Sequence, residues 1–202
     1  MAATVLPYSF YQQPDVVAIS RSLLGKYLCT RFNGTPATCG RIVETEAYSA
    51  HNDKACHAYQ GRYTGRTKIM FAPGGHAYVY LCYGIHHLFN VVTNVEGQAD
   101  AILIRAIEPA EGLDTMLARR NMSASHPRLS NGPGKLTQAL GIRTDNYGTD
   151  LTSGPIWIED RNEVLNTQDI RTGPRVGVDY AGDDAKLQWR FRIAGNRWAG
   201  KD

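Results

Sequence analysis

No stretch of this 202-residue chain approaches the roughly eighteen uninterrupted apolar residues that a membrane-crossing helix needs. The opening segment, Met1 to Phe10, lacks the basic start and long apolar run of a secretory leader. Cysteine is scarce. Cys29, Cys39, Cys56 and Cys82 form no Cys-x-x-Cys pair, which argues against the common structural zinc motifs. Their scatter reads as isolated core or strand thiols of a reducing compartment, and the expected address is the cytoplasm. Internal repeats, low-complexity tracts and an interdomain linker are missing, so residues 1–202 read as one domain. Charge is nearly balanced at +3, with a sequence pI near 8.7. That permits a polyanionic partner without requiring one. A content of 43% hydrophobic and 20% charged residues describes a folded chain rather than a disordered one.

What is present is mostly strand. Strand-like runs mark residues 26–32, 38–48, 76–83, 87–94, 101–107 and 155–159, several of them with clear period-two alternation. Helical spacing marks 15–24, with Asp15 as N-cap and Gly25 as stop, and returns at 109–120 and 134–141. Strands joined by short turns, without strict β-α-β alternation, predict an α/β (α+β) protein. Its sheet would be antiparallel or mixed, with a few helices packed around it. Residues 49–75 form a long polar loop broken by glycines, and a loop of that length is more often functional than accidental.

Chemistry concentrates on the segment Arg41-Ile-Val-Glu-Thr-Glu-Ala-Tyr48. Alternate residues of a strand share a face at ~7 Å, so Glu44, Glu46 and Tyr48 line one wall. Two carboxylates at that spacing suit a displacement at a sugar carbon, and they equally suit a solvated face paired with Arg41 or Lys54. Tyr78 and Tyr80 share a face of the next aromatic strand and can stack a flat ligand. Tyr83 and Ile85 fall at the hairpin tip around Gly84, where a core residue would be wasted. A wedge between bases is one use for such a tip. Arg105 interrupts an apolar strand and must find an anion, either a ligand or a structural partner such as Glu108. Asn131-Gly-Pro-Gly-Lys-Leu136 is not a Walker loop, because Leu129 and Leu136 stand where Gly and Ser or Thr belong. The helix start at Gly134 and Lys135 still suits a backbone phosphate, as do Thr64 and Arg66 more weakly. Adjacent His86 and His87 point to opposite faces of a strand, and no deaminase pattern of His-x-Glu with Pro-Cys-x-x-Cys occurs, so no metal is expected.

Taken in order, these motifs resemble those of the alkyladenine (3-methyladenine) DNA glycosylases. The likeness rests on Arg41 to Tyr48, His57, Met70-Phe71 with Pro73-Gly74, Tyr78-Val-Tyr80, Tyr83-Gly84 and Asn90. Leu103-Ile-Arg-Ala106, Glu108-Pro109 and Gly132-Pro-x-Lys-Leu136 complete it. The resemblance implies a single α/β domain with a curved antiparallel sheet and peripheral helices, and a monofunctional repair enzyme that flips alkylated or deaminated purines from double-stranded DNA. It would act as a monomer without a cofactor, nucleoid-associated in a bacterium or nuclear in a eukaryote. It implies Glu46 as the base on water and Arg105 beside the water and the target nucleotide's backbone. Tyr48 and Tyr80 would stack the purine, with His57 at its edge and Asn90 on the pocket floor. Tyr83 would fill the vacated gap. No lysine stands in the pocket strands, so no Schiff-base step is expected. Residues from 160 onward carry no assignment.

Overall fold

The computed structural model describes residues 3–32 and 34–200; the termini of the expected 1–202 domain and Asn33 lie outside them. The chain begins with β1 (Thr4–Val5), α1 (Tyr8–Tyr11) and α2 (Val16–Ser22). As the sequence predicts, Asp15 caps α2 by accepting from the Ala18 N–H at 2.9 Å. Next come β2 (Tyr27–Thr30) and β3 (Thr38–Tyr48), then a hairpin of β4 (Ala77–Cys82) and β5 (His86–Thr93), and then β6 (Asp100–Glu111). Helices α3 (Leu113–Arg120) and α4 (Pro133–Leu140) precede β7 (Ile156–Asp160), β8 (Ile170–Gly173) and β9 (Arg190–Ile193).

The expected helix over 109–120 starts late. Residues 109–111 continue β6, with Pro109 opposite Gly40 and Glu111 opposite Cys39. Pairing along β3 overrides the helical pattern until Gly112, whose φ of 71° ends the strand.

All the strand pairings among the described residues are antiparallel, in the order β1-β7-β2-β3-β6-β5-β4, and the sheet curls into a half-barrel. β3 is its axis. One edge pairs with β6 throughout, while the other pairs first with β2 and then, over Glu44–Glu46, with β9. Register shifts between Ile42 and Thr45 mark the handover, and bulges of this kind bend a strand and re-aim its side chains.

Alternation then sorts residues between two layers. Val79, Val91, Ile102 and Ile104 pack with Ile19, Met116, Leu136 and Leu140 of the helices. Tyr78, Val92 and Ala101 face the other way, against Cys56, Ala58 and Met70 of the long loop. That second layer carries the cleft. No helix among the described residues is long and apolar enough to cross a membrane.

One expectation needs correcting. Cys29 and Cys39 are not isolated thiols: they sit directly opposite across β2 and β3, Cα atoms 4.1 Å apart, with their sulfurs joined. Hairpin register brings the pair together, which their ten-residue separation conceals. Cys56 and Cys82 remain free.

Candidate active site

A cleft of about 650 Å³ opens between the β4–β5 hairpin, the long loop, the start of α4 and residues 176–180. Tyr48 and Arg105 stand in its wall. Glu46 is fully buried next to them. The Tyr48 hydroxyl donates to Glu46 Oε2 at 2.7 Å, Arg105 Nη1 lies 3.3 Å from the same oxygen, and the Val176 N–H donates to Oε1 at 2.8 Å. A carboxylate taken out of water keeps its charge only with such donors.

Glu44 lies on the same face, as the alternation predicts, and shares Arg105. Its Oε1 accepts from Arg105 Nε at 2.9 Å and Arg190 Nε at 2.7 Å, and the Gly200 N–H reaches Oε2 at 2.6 Å. Burial works to raise the Glu44 carboxyl, but Arg105, the Gly200 N–H and Arg190 outweigh it and hold it below its ordinary value. The solvated-face reading therefore fails, and Arg41 pairs with Glu108 and Glu163 instead. Arg105 is fixed between the two carboxylates rather than on Glu108. Burial would lower its guanidinium, yet Glu46 and Glu44 hold it above its usual value.

The aromatic wall is equally constrained. Tyr78 and Tyr80 stack with centroids 5.4 Å apart. His57 meets Tyr80 edge-on at 4.8 Å, and its Nδ1 hydrogen-bonds the Tyr78 hydroxyl at 2.8 Å. Burial, with Arg66 and Arg62 nearby, pushes His57 down to about 4, so its imidazole is neutral at physiological pH. Burial and the Glu46 carboxylate push the Tyr48 hydroxyl well above its ordinary value, which keeps it a donor. Asn90 is buried in the lining of the cleft and donates to the carbonyl of its cross-strand partner Tyr78 at 3.1 Å.

The rim collects most of the expected DNA-facing residues. Tyr83 is 90% exposed; it and Gly84 have φ of 51° and 72°, closed by Ile85 N–H to Cys82 O. Arg66 lies 5.7 Å from the Tyr80 ring centroid. Gly134 packs tightly against His86, whose side chain would lie 3.0 Å from a Cβ placed there, so the hairpin rests on the start of α4. Lys135 also lines the cleft and donates to Asn131 Oδ1 at 2.9 Å. Thr64 is outside the cleft wall, in a turn closed by Thr67.

Sequence reasoning missed the last forty or so residues. Val176, Arg190 and Gly200 supply donors to the two glutamates, and Val178 and Tyr180 line the cleft. Two of those three donors are backbone N–H groups or sit beside glycine, and neither leaves a residue-type signal. Arg190 inside the short apolar-flanked run Arg-Phe-Arg-Ile was the one legible clue.

Among the described residues, the group of side chains spaced for a metal is Cys29, Cys39 and Glu159, and its two sulfurs are bonded to each other.

Comparison with known proteins places this chain among the DNA glycosylases. The model of the methylpurine-DNA glycosylase family matches residues 9–197. A Bacillus cereus protein named "Putative 3-methyladenine DNA glycosylase" is 42% identical over 203 residues, covering 96% of this chain and 98% of its own. A Carboxydothermus hydrogenoformans protein of the same name is 45% identical over 197 residues, covering 98% and 99%. The chain belongs to the methylpurine-DNA glycosylase family, and the resemblance read from its motifs is borne out.

Proposed function

We propose that the whole chain acts as one monomeric glycosylase domain that excises alkylated purines such as 3-methyladenine, and deaminated ones such as hypoxanthine, from double-stranded DNA. In a bacterial cell it works in the cytoplasm on the nucleoid. A purine inside the stack cannot be attacked, so the nucleotide is rotated out, which costs least for lesions that pair poorly. The aromatic cleft accepts the base between Tyr48 and Tyr80, with neutral His57 at its edge and Asn90 at its floor. Tyr83 takes the vacated place in the duplex. Arg66, Thr64, Gly134 and Lys135 hold the backbone phosphates.

Glu46 takes a proton from water, and the water oxygen bonds to C1′ of the sugar as the bond from C1′ to the purine nitrogen breaks. The departing purine keeps that electron pair. One already cationic from N3- or N7-alkylation leaves neutral, and π faces attract it while it is bound. Arg105 sits where it can orient Glu46 and meet the target nucleotide's backbone. The observation that carries this reading is the convergence of Tyr48, Arg105 and the Val176 N–H on one buried carboxylate at the cleft.

The test is base release by Glu46→Gln from duplexes bearing a single 3-methyladenine or hypoxanthine. We expect a loss of about a thousandfold or more, with lesion binding retained. Release near the parent rate would show that Glu46 is not the group that activates the water. Robust turnover of free nucleosides would point to a different hydrolase.

A further inference from the structure

Outside the groups already assigned, one buried ion pair reaches several parts of the cleft. Arg175 and Asp53 have side chains with no exposure to solvent. The guanidinium fork is bidentate: Nη1 meets Asp53 Oδ2 at 2.5 Å and Nη2 meets Oδ1 at 2.7 Å. The same nitrogens donate to the Ala47 carbonyl at 2.9 Å and the Asp184 carbonyl at 3.0 Å. The guanidinium carbon lies 4.7 Å from the Tyr48 ring centroid and 5.3 Å from that of Trp189.

Each contact has a consequence for the site. Arg175 is followed directly by Val176, whose N–H donates to Glu46. Asp53 accepts from the Ala55 N–H at 3.0 Å, and its carbonyl accepts from the Cys56 N–H at 2.9 Å, which fixes the turn leading into His57. The cation over Tyr48 holds the ring whose hydroxyl meets Glu46. One ion pair thus ties β3, the long loop and the 175–185 segment to a common geometry.

We infer that Arg175 and Asp53 form a positioning pair for the base-release step, setting Glu46, Tyr48 and His57 against one another without touching the purine. This rests on the function proposed above. A merely structural pair would be replaceable, because an apolar pair of similar volume commonly matches a buried ion pair in stability. A positioning pair would not, because misplacing a reacting group by about 1 Å can cost roughly a hundredfold in rate.

The experiment uses the full chain carrying Asp53→Leu with Arg175→Met, and separately Arg175→Lys, which keeps the cation and loses the fork. Single-turnover base release under saturating enzyme, affinity for lesion DNA and the thermal midpoint are measured together. We expect the double variant to release base about 30-fold more slowly, with affinity within about threefold of the parent. Arg175→Lys should lose about tenfold in rate with the same affinity. If the double variant does not fold, Arg175→Lys decides alone. Release within about threefold of the parent, in whichever variant folds, overturns the inference. Glu46→Gln run alongside separates the two claims: an active Glu46→Gln sinks the proposed function, whereas an inactive one beside a fully active Arg175→Lys sinks only the positioning pair.

Discussion

At one end of the cleft Glu46 is fully buried with three donors converging on it; at the other, Tyr83 is 90% exposed at a hairpin tip. The inner end is polar and stabilised only because its members satisfy one another. Removing any one strands a charge away from water. The outer end is apolar and contributes little to the fold, so its use lies in a partner it has yet to meet. Inside, geometry is set before any substrate arrives. Outside, on the function proposed above, the substrate completes it.

This contrast breaks most visibly at Glu44. Glu44→Gln leaves Arg105 and Arg190 facing a neutral amide in a buried site. We expect a loss of about 3 kcal/mol in denaturant unfolding and roughly 30-fold slower base release through a displaced Arg105. Unchanged stability and rate would mean that the inner network is not cooperative. Tyr83→Ala should do the reverse. It should weaken lesion-DNA binding about tenfold at a fixed salt concentration and leave the thermal midpoint in place. A fall in stability without a fall in affinity would make the tip a folding element.

The smallest effect concerns His57, which packs against Tyr78 and Tyr80. It titrates at about 4 in the folded chain against an ordinary 6.5. Between those values the unfolded chain binds the extra proton, so stability drops as pH falls through that window. The thermal midpoint of the parent should therefore decline more between about pH 7 and pH 5 than that of His57→Gln. Parallel declines would show that another group controls acid stability.

Much of the inner end was legible because strand alternation is a strong signal. The wall of Glu44, Glu46 and Tyr48 and the paired Tyr78 and Tyr80 follow from it, while at the outer end Gly84 marks the turn at Tyr83. The family resemblance then singles out Glu46, rather than Glu44, as the base proposed above. Strand pairing was less legible. Arg105 read as seeking an acid, but that the acids were Glu44 and Glu46 depends on β3 lying beside β6, sixty residues away in sequence. The Cys29–Cys39 contact was hidden for the same reason. Least legible were β8, β9, the segment joining them and the residues that follow β9. Their strands are four residues long, too short for a period, and their work at Glu46 and Glu44 is done partly by the amides of Val176 and Gly200.

The φ of 51° at Tyr83 sets two pressures against each other at one position. A bulky side chain in that left-handed conformation costs about 1 kcal/mol, which Gly or Asn would largely relieve. A library of this protein sorted for heat tolerance alone should therefore drift toward small residues at 83, losing the proposed wedge while gaining a firmer hairpin. Sorting the same library for repair in cells exposed to methylating agents should hold the tyrosine. The residue that best survives both screens would measure what a firm hairpin is worth against a found lesion.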